Sequence, residues 1–192
     1  MFLDSEKVAA VKDFKVNSVA ISESIIEDFE AAYPSVPEEE WYYAPIREYE
    51  QGEERGIQYV PRIQSSDNSF IDWGVTAWSA SMTNQIRRAT FNMNTHQPKI
   101  DFRAIQLGDQ YKKVLESLGF REQGLEFITN FDMPYITIDK DGGVELSFLS
   151  IPQHYLESGM IEVNIYDNQA KGWLILQFSG DVLSYIQFNS LD

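Results

Sequence analysis

The side chains best suited to a strong, selective contact crowd into residues 38–54. Glu38, Glu39 and Glu40 run directly into Trp41, Tyr42 and Tyr43, and Glu48, Glu50, Glu53 and Glu54 follow. Carboxylates draw Lys and Arg side chains from a distance, and Trp and Tyr bring a large apolar area with a hydrogen-bonding tip. That combination suits docking against a basic protein surface rather than bond breaking. Between Glu23 and Gly56, eleven acidic residues are opposed only by Arg47 and Arg55, which leaves nine net negative charges. Such a cluster repels itself and costs folding stability unless something offsets it. A purely structural reading of the same residues sends alternate aromatics of a strand into the core and makes Glu38 to Glu40 a solvated turn. Trp73 and Trp78 read as core packing.

The rest of the chain does not gather the residue types of a reaction centre. There is no cysteine, so thiolate chemistry and disulfides are excluded. The two histidines, His96 and His154, stand in loop-like contexts beside Gln97-Pro98 and Pro152-Gln153 and read as solvent-exposed. Asp139-Lys140-Asp141-Gly142-Gly143 begins like a calcium loop, but its twelfth position is Ser150 where a bidentate Glu is required. A tight hairpin turn is expected there instead. Nucleophile-elbow, phosphate-loop, dinucleotide and zinc-protease motifs are absent from the sequence. Carboxylates are too abundant for any pair to mark a glycosidase-type acid and base. No catalytic residue, metal ligand or cofactor is assigned, and a non-enzymatic role is expected.

The formal charge is −15, from 30 acidic and 15 basic residues. Nucleic-acid binding needs a concentrated basic surface, and Arg87-Arg88 and Lys112-Lys113 are too small to make one. The same charge favours a basic protein partner. No apolar stretch approaches the ~20 residues of a membrane-spanning helix. The start, Met1-Phe2-Leu3-Asp4-Ser5-Glu6-Lys7, lacks the basic and apolar regions of a signal peptide. A cytoplasmic location with no membrane partner is therefore expected.

The elements that must carry the 38–54 block follow from periodicity. Ser5 to Asp13 is a predicted short helix capped by Ser5, and Val16 to Ile21 a short strand. Ser22 is the predicted cap of a stronger helix with Ile25, Ile26, Phe29 and Ala32 on one face, ended by Pro34 and Pro37. Trp41 to Glu50 reads as a strand, Gln51 to Gly56 as a polar turn, and Ile57 to Ile63 as a return strand that Pro61 confines to an edge. Trp73 to Met82 and Ile86 to Met93 form a predicted hairpin around Thr83-Asn84-Gln85. Asn94 to Pro98 is a short polar junction. Beyond it, Ala104 to Leu107 is extended, Gly108-Asp109 opens a helix with Tyr111, Val114, Leu115 and Leu118 apolar, and Gly119 closes it. Strands are expected over 126–130, 135–138, 144–151, 159–166, 172–178 and 182–188.

This order repeats itself. Asp13-Phe14-Lys15 returns as Asp101-Phe102-Arg103, and Ile21 corresponds to Leu107, 86 residues on. The expected fold class is α+β, with two similar units, each a helix packed on an antiparallel β-meander. Their expected extents are residues 1–94 and 99–192, packed together. Ile105-Gln106-Leu107-Gly108-Asp109, then Val114-Leu115 and Leu118-Gly119, then strands with a Gly180-Asp181 turn, resemble a bacterial module. It occurs in outer-membrane lipoproteins of the SmpA/OmlA type and, in tandem, in β-lactamase-inhibitor-like proteins, and the layout is similar to that of small bacterial immunity proteins. The first half departs from this pattern, with Ser22 in place of the opening glycine and Tyr33 in place of the closing one. The resemblance implies protein binding or inhibition. The expected function is that of an immunity protein that neutralises a cognate bacterial toxin, Glu38 to Glu54 covering a basic site. The alternatives are a phage or mobile-element antagonist that mimics nucleic-acid charge, and a small-molecule enzyme.

Overall fold

The computed structural model describes residues 2–32, 41–49, 52–59, 75–80, 85–92, 99–122, 132–150 and 153–191. The architecture is α+β with strands predominating. A small sheet joins β1 (Lys15–Val16) to β2 (Val19–Ala20) on one side and to β7 (Ile100–Asp101) on the other. A nine-stranded sheet takes strands from both halves of the chain. From one end it runs β3 (Trp41–Tyr49), β4 (Gly52–Tyr59), β5 (Val75–Ala80), β6 (Ile86–Asn92) and β12 (Val182–Ser190). It continues through β11 (Gly172–Ser179), β10 (Met160–Asp167), β8 (Asp132–Ile138) and β9 (Val144–Ser150). The helices are α1 (Ile26–Ala31), α2 (Tyr111–Ser117) and α3 (Gln153–Ser158) among the described residues.

The second half is not a simple meander. The chain leaves β9 at the end of the sheet, passes through α3, and returns as β10 on the far side of β8. This crossover makes β10 and β8 parallel, from Asn164↔Tyr135 to Asp167↔Ile138. His154 accordingly sits in α3, exposed, and not in a loop. His96 and the strand expected over 126–130 lie outside the described residues.

Period-two patterning decides which face of the sheet is covered. Along β11, Leu174, Leu176 and Phe178 are fully buried, while Trp173, Ile175 and Gln177 between them are half-buried. Phe91 and Phe188 line the same inner face, where α2 contributes Val114 and Leu115. Each such side chain contributes about 1.5–3 kcal/mol by leaving water.

Two expected helices are altered. Residues 5–7 form a turn, and the N-terminal segment makes only a 3-10 turn at Val11–Asp13. Its amides are held from outside: buried Asp167 accepts the Val11 N–H at 2.9 Å. Helix α1 starts at Ile26, and Ser22 belongs to a preceding 3-10 turn, with its buried Oγ lacking a hydrogen-bond partner among the described residues. Ile25, expected on the apolar face, is 37% exposed. By contrast α2 ends as expected. The Phe120 N–H reaches the Leu115 carbonyl and the Gly119 N–H that of Glu116, with Gly119 at φ +97°. This double closure requires a left-handed residue, which glycine adopts without penalty.

The halves meet along two strand pairs. Strands β6 and β12 pair antiparallel with Thr90 opposite Gln187, flanked by Ala89↔Phe188 and Phe91↔Ile186. Strands β1 and β7 pair with Lys15 opposite Asp101. Beside them the buried rings of Phe14 and Phe102 meet edge to face at 5.6 Å. Helices α1 and α2 are each tied to the sheet at their start, through Ile25↔Gln85 before α1 and Gln110↔Val182 before α2.

Candidate functional site: an acidic strand pair and a neighbouring cavity

The described part of the acidic-aromatic block lies at the end of the large sheet. Trp41, Tyr42, Tyr43 and Glu48 belong to β3, the terminal strand, and Glu53 and Glu54 to its neighbour β4. Glu38, Glu39, Glu40 and Glu50 lie outside the described residues. The expected polar turn from Gln51 to Gly56 is corrected: β4 begins at Gly52, so Glu53 and Glu54 are strand residues. Pairing on both sides, to β3 and β5, imposes extended backbone on a stretch whose Gly and Glu content argues for a turn.

The register brings charges into opposition. Glu48 stands directly opposite Glu53, and Arg47 opposite Glu54. Like charges in directly opposed positions are destabilising, by a fraction of a kcal/mol up to about 1 kcal/mol. Between Ala44 and Arg47 the pairing shifts, next to Pro45. Proline has no N–H for a ladder and is tolerated in a terminal strand or at a bulge.

A cavity of about 400 Å³ lies near the start of this block in sequence, and the residue pattern did not point to it. It is lined by Asn17, Ser18, Val19 and Ala20 from the β1–β2 turn and by Ser24, Asp28, Ala31 and Ala32 around α1. Val16 pairs with Val19 across a two-residue turn whose Asn17 and Ser18 have φ of 49° and 72°. Asn17 fixes this turn by accepting the Lys99 N–H at 2.8 Å and donating to the Ala32 carbonyl at 2.9 Å. Asp28 supplies the carboxyl group of the lining, and its Oδ2 accepts the Ile25 N–H at 3.2 Å. The one sequence signal was the Asn-Ser pair, a turn former that accepts left-handed backbone.

Three tyrosines have perturbed hydroxyls. Burial pushes Tyr111 well above its ordinary value, and its OH is buried without a partner among the described residues. Tyr135 is raised by burial and then by nearby Tyr166, whose ring stacks on it at 6.5 Å. Tyr185 is raised by burial and by Glu162, against lowering contributions from Thr90 and Arg88. None of these shifts brings a proton into exchange near neutrality. The Asp139 carboxylate accepts the Asp141 and Gly143 amides, as a hairpin turn requires. Among the described residues, no three His, Cys, Asp or Glu side chains stand close enough to hold a metal ion. Likewise no described helix is long and apolar enough to cross a membrane.

The fold defines an α+β protein whose terminal strand pair carries Glu48, Glu53 and Glu54 beside Arg47 and Arg55. The chain matches no family model, no curated protein and no solved structure.

Proposed function

We propose that the chain is a non-enzymatic inhibitor that binds a basic protein. By this reading it is an immunity protein that acts in the bacterial cytoplasm and occludes a basic site on a toxin with the Glu38 to Glu54 block. The observation that carries this reading is the position of the block. Its described residues, 41–49 and 52–54, lie in the terminal strand pair of a nine-stranded sheet, with Glu48 opposite Glu53 despite the cost of that opposition. A terminal strand offers backbone N–H and C=O groups to a partner, and concentrated carboxylates raise the encounter rate with cations. A charge arrangement that lowers stability is explained when it is used in binding.

The reading includes a duplication, with units over 1–94 and 99–192. Two independent sets of coincidences support it. A step of 97 residues carries Thr90 to Gln187, which face each other across β6 and β12. The same step carries Ile86 to Leu183. The Ile86 amide binds the Ser24 carbonyl just before α1, and the Leu183 amide binds that of Asp109 just before α2. A step of 86 residues carries Lys15 to Asp101, again a facing pair, and carries Asn17-Ser18 to Arg103-Ala104, a second left-handed pair.

The test is affinity capture from the native host with wild-type protein and with Glu48→Lys, Glu53→Lys and Glu54→Lys combined. A basic protein retained by wild type and lost by the triple variant is expected. Recovery of no basic protein refutes the inhibitor reading, and equal retention by both forms refutes the use of this strand pair.

A further inference from the structure

The cavity beside α1 differs in kind from the corresponding place in the second half. Around α2, Lys113 stands 85 residues beyond Asp28, and its ammonium lies 2.6 Å from Asp109. Arg103 stands 86 residues beyond Asn17, and Gln106 the same distance beyond Ala20. Gln106 donates to the Ile100 carbonyl. The second half thus supplies its own cation beside α2, while Arg103 reaches away to the Val8 carbonyl and Asp13. In the first half the same positions hold Asp28, Asn17 and Ala20, and Ser24 takes the place of Asp109. The result is an open volume of about 400 Å³ containing a carboxylate.

We infer that this cavity receives one cationic side chain, an Arg guanidinium or a Lys ammonium, presented by the partner protein. It is a depression widely open to solvent, and an Arg or Lys side chain needs only part of its volume. Asp28 keeps Oδ1 for the ligand, because Oδ2 takes the Ile25 amide and no other described residue bonds to Oδ1. A carboxylate with one oxygen already bound is fixed in orientation, and a charge-assisted bond to it is about twice as strong as a neutral one. The walls are preorganised. Asn17 ties the turn to Lys99 and to the end of α1, and Ser24 Oγ donates to the Ala20 carbonyl. Small side chains at Ser18, Ala20, Ala31 and Ala32 leave room for the aliphatic stem of Arg or Lys.

This inference rests on the basic-partner reading, and its test does not need the partner. The whole protein is titrated with Nα-acetyl-arginine amide, Nα-acetyl-lysine amide and, as an uncharged control, Nα-acetyl-glutamine amide, followed by amide NMR shifts. Saturating shifts at Asn17, Ser18 and Asp28 are expected with at least one cation and none with the control. Asp28→Asn, which keeps an oxygen for the Ile25 amide, is expected to weaken binding about tenfold. Ala20→Gln, which copies the side chain found at position 106, is expected to abolish it. Two outcomes would overturn the assignment: equal shifts at the exposed Asp139–Asp141 turn, or affinity unchanged in both variants. Neither outcome touches the inhibitor reading, which stands or falls on the capture experiment with the β3–β4 variants.

Discussion

Replacing Asp167 by Ala tests how the N-terminal segment is held to the sheet. Asp167 is fully buried at the end of β10. One oxygen accepts the Val11 N–H at 2.9 Å, and the other accepts those of Gln169 and Ala170 at 2.9 and 3.0 Å. The Val11 bond is buried, so its loss strands an amide with no access to water. A bond to a charged acceptor contributes about 1.5–3 kcal/mol. The other two lie in a part-buried turn that water can enter, and each contributes about 1 kcal/mol. Asp167→Ala is therefore expected to cost about 3–5 kcal/mol, a drop of about 10 °C in a chain of this length. Asp167→Asn keeps an oxygen for the turn but sets an amide NH₂ against Val11, so about half that loss is expected. Urea unfolding gives the energies, and hydrogen exchange at the Val11 amide reports the local event. A loss below about 1 kcal/mol for Asp167→Ala with Val11 still protected would refute the clamp.

Three further outcomes follow from the same geometry. Tyr111→Phe removes a buried hydroxyl that has no partner among the described residues, so stability at neutral pH is expected to hold or rise by about 1 kcal/mol in urea unfolding. The hydroxyls of Tyr111, Tyr135 and Tyr185 are all raised, so the folded chain keeps protons that the unfolded chain releases near pH ~10. Their contribution is complete below that pH and declines as pH rises above it, and Tyr111→Phe is expected to make an alkaline titration of stability shallower. Gly172→Ala would bring a methyl to 2.7 Å from Val11 Cγ1 and 2.8 Å from Phe188 Cε2, and overpacking of this kind costs about 1–3 kcal/mol, measured as a lower urea midpoint at unchanged slope. Gly119→Ala combines a left-handed φ of +97° with a Cβ 3.2 Å from the Lys7 backbone, so a loss of about 1–3 kcal/mol with increased exchange at the Asp4 amide is expected.

Sequence pattern revealed elements wherever one face of a strand or helix alone decides its burial. The alternation through Leu174, Leu176 and Phe178 and the Gly119 stop of α2 are of that kind. It failed where the deciding partner is remote. Val8, Ala9 and Val11 look like one face of a helix, yet their segment is held by a carboxylate 156 residues away from Val11. Glu53 and Glu54 look like a turn, yet strands on both sides extend them. The parallel contact of β8 with β10 has no local signature, because direction is set by the crossover and not by residue type. The acidic block was legible because charge density is a property of composition. The cavity was not, because it is made by small side chains on two separate segments, and a missing side chain leaves no periodic mark.

The seam between the two halves of the chain differs in character from the exposed positions around it. Where the halves join, most facing pairs are apolar or neutral, and charge enters at Lys15 opposite Asp101 and at Arg88 opposite Asn189. Phe14 and Phe102 pack on each other, and Phe91 and Phe188 are both buried in the common core. A change at any of these positions disturbs both halves at once, so packing alone holds them close in type. Exposed positions such as Asp28 and Lys113 carry no such constraint. The acidic block of the first half likewise has no counterpart of similar density in the second. Self-repulsion opposes the concentration of negative charge in one half, so stability cannot be its cause. On the proposed reading a cation-bearing partner would remove the contradiction, since the charges that repel in the free protein would become the ones that bind.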